Sequence, residues 1–120
     1  MHPRIDGTKF GSIFIEGKKY THDVVIGLDG TVKKRKKKLS KEVYGTSHII
    51  SLAEAKHVYE KGAKGIVIGS GQNGMVKLSE EARAYLQKKK CPVKILPTGE
   101  VGKTWNCLKG KAIGLFHVTC

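Results

Sequence analysis

The stretch Gly65-Ile66-Val67-Ile68-Gly69-Ser70-Gly71-Gln72-Asn73-Gly74 is a short apolar run that breaks off into glycines and small polar residues. The run reads as a buried strand. The loop after it carries backbone that no large side chain covers, which is how α/β proteins build sites beyond strand ends. A helix-strand alternation surrounds it. Upstream, Ser51-Leu52-Ala53-Glu54 fits a capping box that opens a helix with Leu52, Ala55, Val58 and Tyr59 on one face and Gly62 as its stop. Downstream, Ser79 is placed to cap a second helix with Ala82, Tyr85 and Leu86 inward, and Lys88-Lys89-Lys90 complements the dipole at its end. Pro92 to Leu96 is then a second inner strand, parallel to the first through a right-handed crossover. Thr98 reads as the cap of a third helix with Val101, Trp105 and Leu108 buried, and Ala112 to Cys120 as a last buried strand.

The N-terminal part has a different texture. Ser12 to Glu16 and Tyr20 to Ile26 are β-branched and aromatic segments joined at Gly17-Lys18-Lys19, and Asp29-Gly30 turns the chain again before Thr31-Val32. This predicts an antiparallel meander. His22 and Asp23, neighbours in an extended segment, point to opposite faces and read as two surface residues. Leu39 to Ile50 shows no clean period and is expected to connect, held to the core by Tyr44 and by Ile49 or Ile50.

With 120 residues and 39% hydrophobic content, residues 1–120 suit a single globular unit. No run of about 18 apolar residues is present and no hydrophobic leader opens the chain, so membrane insertion is not expected and a cytoplasmic location is. Cys91, Cys107 and Cys120 form no C-x-x-C pair, so neither a disulfide framework nor a structural zinc site is indicated. The formal net charge of +13 points to acidic partners or anionic ligands. Six of the charges stand together as Lys33, Lys34, Arg35, Lys36, Lys37 and Lys38. Like charges repel and resist burial, so this block is expected to be an exposed, mobile arm. It could hold nucleic acid through its phosphates in a salt-dependent way, with Lys88, Lys89 and Lys90 as auxiliaries, but no interleaved aromatic offers base stacking.

Three motif matches are weak. Gly69, Gly71 and Gly74 fit G-x-G-x-x-G, yet no helix opens inside the motif and no acidic residue follows on the next strand to hold a ribose. Pro97 to Thr104 imitates a phosphate-binding loop, but proline stands where the pattern needs a small flexible residue and no strand ends in a magnesium-binding Asp. His117-x-x-Cys120 has the residue types of a metal pair, on opposite faces of a strand. No metal and no cofactor is expected. An enzyme with Cys120 or Cys107 as nucleophile and His117 as base is the catalytic alternative.

Taken together, Ile66 to Gly71, the segment Leu96-Pro97-Thr98 leading to Trp105-Asn106, and the terminal Phe116-His117-Val118-Thr119-Cys120 resemble the small archaeal Mth-type domain. That domain also occurs in a human adipogenesis-associated protein and, more distantly, in a mitochondrial respiratory complex I assembly factor. The similarity runs from the Phe14-Ile15-Glu16-Gly17 hairpin to the last residue. It implies a three-layer α/β core with a mixed central sheet flanked by helices and an added β layer, an assembly or regulatory role, and no agreed catalytic residues. Relatives tend to carry a tryptophan and mixed charge where this chain has Lys33 to Lys38. The expected site gathers Gly69, Ser70, Gly71, Gln72 and Asn73 with Thr98, Asn106 and His117, where loops after adjacent strands converge to bind a protein partner or a small anionic ligand.

Overall fold

The computed structural model describes residues 2–120. In chain order it contains β1 (Ile5–Lys9), β2 (Ser12–Ile15), β3 (Lys18–Tyr20), β4 (Val24–Ile26), β5 (Val32–Lys34), α1 (Lys38–Tyr44), β6 (Ile49–Ile50), α2 (Leu52–Val58), β7 (Gly65–Ser70), β8 (Lys77–Leu78), α3 (Glu80–Lys88), β9 (Val93–Leu96), α4 (Thr98–Cys107) and β10 (Ala112–His117). The central sheet has the order β5-β4-β10-β7-β9, with β1-β2-β3 as a separate antiparallel sheet and β6-β8 as a short parallel pair. The sheet is mixed: β10 runs parallel to β7 and β7 to β9, whereas β4 is antiparallel to both β10 and β5.

Strand alternation sorts the core into two layers. Ile66, Ile68, Ile113 and Leu115 face α2 and α3 through Ala55, Val58, Ala82 and Leu86. Val67, Phe116, Val24 and Ile26 face the other way, against Val101 and Trp105 of α4 and against Ile5, Ile13 and Ile15 of the N-terminal sheet. The expected helix-strand alternation, mixed central sheet and N-terminal meander are all present.

Several local expectations change. The meander's third strand is β1; the chain leaves this sheet after Tyr20, and the segment read as its continuation becomes β4, laid beside β10 in the central sheet. The expected Asp29-Gly30 turn does join β4 to β5, with Gly30 at φ 85°. The span from Leu39 to Ile50 is not a mere connector, since it carries most of α1 and then β6. Its amphipathic signal is short because α1 buries only Ser40. Ser51 caps α2 as expected by accepting from the Glu54 amide, but the box is not reciprocal: Ser40 Oγ accepts from the Ser51 amide at 2.9 Å and frees the Glu54 carboxylate for other work. Ser79 caps α3 as expected. Thr98 does not cap α4; it is the first helical residue, and its hydroxyl is used elsewhere.

Candidate functional site at the C-terminal rim of the sheet

Register fixes what meets at one edge. Ser70 pairs with His117, Gly69 with Leu96 and Val24 with Lys34, so β7, β9, β10 and β5 all end, and β4 begins, at the same rim. The convergence expected for Ser70, Gly71, Thr98 and His117 is therefore present. Thr98 Oγ1 donates to the His117 carbonyl at 2.6 Å and accepts from the Gly71 amide at 2.8 Å, while the Thr98 amide donates to the Gly71 carbonyl.

What these loops bind is the chain itself. The Gln72 amide donates to the Thr119 carbonyl at 2.7 Å, and the Asn73 and Met75 amides donate to the Cys120 carbonyl. The backbone amides that the sequence offered to an anion thus already have protein acceptors. The glycines serve this close approach: a Cβ on Gly71, at φ 100°, would lie 2.1 Å from the Cys120 carbonyl carbon, and one on Gly69 would lie 2.8 Å from Thr98 Oγ1. Gln72 Nε2 is buried without a hydrogen-bond partner among the described residues, and Asn73 is exposed.

Asn106 is elsewhere. It sits in the last turn of α4, about 12 Å along the axis from Thr98 at 1.5 Å per residue. There its side chain pairs with both backbone groups of Ile5, accepting from the amide and donating to the carbonyl at 2.8 Å each, which ties β1 to the helix. An amide side chain does this well because it holds a donor and an acceptor on one carbon.

His117 is 1% exposed and cannot project into solvent. Its Nδ1 lies 2.6 Å from Asp23 Oδ2 and its Nε2 lies 3.2 Å from Thr119 Oγ1. Asp23, read from sequence as a surface residue, is also 1% exposed. The kink that ends β3 and starts β4 turns it inward, where Oδ1 accepts from the Val118 amide at 2.9 Å and Oδ2 accepts from Arg35 Nη1 at 2.9 Å.

The basic block is corrected by the same cluster. Lys33 and Lys34 belong to β5, Lys38 begins α1, and Arg35 is 3% exposed. The guanidinium is buried because two carboxylates wait for it: Nε donates to Glu54 Oε2 at 2.6 Å, Nη2 to Glu54 Oε1 at 2.9 Å and to the Ser47 carbonyl at 2.8 Å. Ser40 Oγ, fully buried, also donates to Glu54. A six-charge block is therefore no mobile arm; its third residue anchors it, while Lys33 and Lys34 on the edge strand β5, and Lys36 and Lys38 after it, stay exposed. Burial pushes the Asp23 carboxyl up, but hydrogen bonds from His117 and the Val118 amide, with the charges of His117 and Lys37, bring it down to about 2. Burial likewise opposes the charged Arg35, yet Glu54 and Asp23 hold it above its ordinary value.

Asp23, Arg35, Glu54, Ser40 and Thr119 are the residues that sequence reasoning missed here. One signal was available: a lone Arg among lysines, since a planar fork with five donors suits a buried carboxylate and an ammonium does not. An open groove of about 510 Å³ adjoins the buried cluster: Lys34, Lys36, Lys37, Lys38 and Thr119 line it together with Asp23 and Arg35 of the cluster. Lys88, Lys89 and Lys90 end α3 before β9 begins, at the opposite rim, so the two basic clusters do not form one stripe. Among the described residues no group of three or more His, Cys, Asp or Glu is arranged to hold a metal, and no helix is long and apolar enough to cross a membrane.

The fold has solved counterparts. A conserved hypothetical protein, PH1505, from Pyrococcus horikoshii OT3 is 31% identical with a TM-score of 0.91, the match covering 98% of this chain and 99% of that one. A protein named MT938 is 30% identical with a TM-score of 0.83 over 98% and 99% of the two chains. A Bordetella parapertussis protein shares the fold at 14% identity and a TM-score of 0.75, over 98% of this chain and 96% of its own. Residues 5–115 match the model of the family described as protein of unknown function DUF498/DUF598, and the chain belongs to that family.

Proposed function

We propose that this protein binds a small anionic ligand in the basic groove beside the glycine loop, with the loop's amides holding the chain's own C-terminal segment. The observation that carries the reading is a concave surface of about 510 Å³ lined by four lysines, Lys34, Lys36, Lys37 and Lys38. Its volume is within the range of small-molecule sites, about 300–1,000 Å³. Asp23, which lines the groove, is already engaged by Arg35 and, at 3.7 Å, by Lys37, and Glu54 is engaged by Arg35, which leaves the charges of Lys34, Lys36 and Lys38 available to a ligand. The overall charge of +13 would draw anions toward it. In this reading residues 1–120 act as one Mth-type unit in the cytoplasm, in an assembly or regulatory role with a protein partner.

Calorimetric titration with citrate and with pyrophosphate, at low and at moderate salt, tests it. Binding that weakens with salt and falls about tenfold or more in a Lys34→Met/Lys36→Met double variant is expected. Affinity that is unchanged in the double variant would remove the groove from consideration. Non-specific nucleic-acid binding through Lys33, Lys34, Lys36, Lys37 and Lys38 is the second reading, supported by the exposure of Lys33, Lys34, Lys36 and Lys38. It predicts comparable affinity for duplexes of unrelated sequence and a steep salt slope. Arg35 would take no part, being buried.

A further inference from the structure

A chemically distinctive chain of polar groups runs from the groove into the protein. Asp23 Oδ2, His117 Nδ1, His117 Nε2 and Thr119 Oγ1 form a line, with gaps of 2.6 and 3.2 Å across the imidazole. An ionised carboxylate only accepts, so the proton between Asp23 and His117 belongs to Nδ1. In the neutral ring, Nε2 then presents a lone pair to the Thr119 hydroxyl. This is the relation of orienting acid, base and nucleophile in hydroxyl-based acyl transfer, which is recognised by geometry and roles and not by order along the chain.

The terminal segment is held firmly enough to keep that line. The Val118 amide donates to Asp23 Oδ1, the Val118 carbonyl accepts from the Gly11 amide at 2.7 Å and the Thr119 carbonyl accepts from the Gln72 amide. Thr119 is half-buried and lines the groove together with the buried Asp23, whereas His117 is buried and reaches the groove through Thr119. Of the thiols suggested by the sequence, Cys107 is placed elsewhere. Cys107 ends α4, at the opposite end of that helix from Thr98, the residue bonded to the His117 carbonyl. The ring nitrogen free of Asp23 faces the Thr119 hydroxyl.

We propose that Thr119 is the nucleophile of an acyl-transfer site that hydrolyses esters carrying an anionic group, with His117 as base and Asp23 as the positioning carboxylate. The proposal rests on the groove as the anion site. Thr119 Oγ forms a bond to the ester carbonyl carbon as its proton passes to His117 Nε2. The carbon-oxygen bond to the leaving group breaks, and Nε2 returns the proton to the departing oxygen. Water then attacks the acyl-threonine by the same route in reverse, releasing the acid and restoring the hydroxyl. Lys34 and Lys36 supply positive charge for the anionic group of the substrate.

The test uses the full chain with the 4-nitrophenyl ester of 4-sulfobenzoic acid, followed by nitrophenolate release and peptide mapping by mass spectrometry. Expected are multiple turnovers and a sulfobenzoyl group on Thr119. Thr119→Val, which removes the attacking hydroxyl, should lower turnover about hundredfold or more, and Thr119→Ser should retain it. His117→Gln, checked for folding by circular dichroism, should lose turnover and keep the citrate site. Acylation confined to lysines or Cys107, or a Thr119→Val protein as active as the parent, would overturn the proposal. Equal turnover of the uncharged 4-nitrophenyl benzoate, with label still on Thr119, would support the nucleophile and refute only the groove as its anion site.

Discussion

Replacing Asp23 with Asn changes one charge and almost no volume, so it isolates the electrostatics of the buried cluster. Asp23 is 1% exposed and accepts from Arg35 Nη1, His117 Nδ1 and the Val118 amide. Its folded pKa of about 2 lies below the ordinary 3.8, so ionisation stabilises the fold. At about 1.4 kcal/mol per pKa unit this linkage is worth about 2 kcal/mol at neutral pH. The Asn side chain also turns donors toward donors at Arg35 and His117, which adds about 1–3 kcal/mol for groups left unpaired. The expected total is about 3–5 kcal/mol, in the range for one partner removed from a buried ion pair. The folded pKa is depressed, so this stability is present above about 3.8 and is lost as pH falls through about 2. Roughly 1 kcal/mol of the linkage is already gone at pH 3. Urea unfolding of both proteins at pH 7 and pH 3, with equal m-values, measures the difference directly. A gap under about 1 kcal/mol at pH 7, or a gap that does not shrink at pH 3, would refute the reasoning.

Other expectations are checked as simply. Gly71→Ala should destabilise by at least about 2–3 kcal/mol in thermal or urea unfolding, because a Cβ there meets the Cys120 backbone and φ is positive. Ser40→Ala should cost about 2 kcal/mol, since the Ser51 amide and a Glu54 oxygen both lose a buried partner. With a thiol reagent, Cys107 should react in the folded protein and Cys91 only on unfolding, because Cys91 is buried and burial raises its thiol pKa. Val43→Ser should fall within about 0.5 kcal/mol of the parent, as Val43 is 59% exposed and α1 buries little.

Periodicity made the inner strands and the helices that cover them legible. Ile66, Ile68, Ala82 and Leu86 announce their layer by spacing alone, and Ser51 and Ser79 mark helix starts by chemistry that acts within three residues. The convergence of Ser70, Thr98 and His117 followed from parallel strands. What the sequence hid was long-range pairing of polar groups. Arg35 is drawn inward by Glu54, nineteen positions later, and Asp23 by His117 and Val118 at the far end of the chain. No local pattern encodes such partners, so a charge block read as solvated and a His-Asp neighbour pair read as surface. Asn106 was misplaced for a related reason. It follows a motif at the rim, but nearly the whole length of α4 carries it to the other end of the helix.

The position of β10 sets the order in which this molecule can assemble. The β4–β5 hairpin and the β7–β9 pair have no strand in common, and each meets the other only through β10. Gly114 stands opposite Ile26, about 90 residues earlier, and opposite Val67 on its other flank. During synthesis the two half-sheets must therefore wait, edges open, until the strand that unites them has emerged. Such distant closure makes folding slow, and it leaves the nascent chain most in need of protection just before β10 emerges.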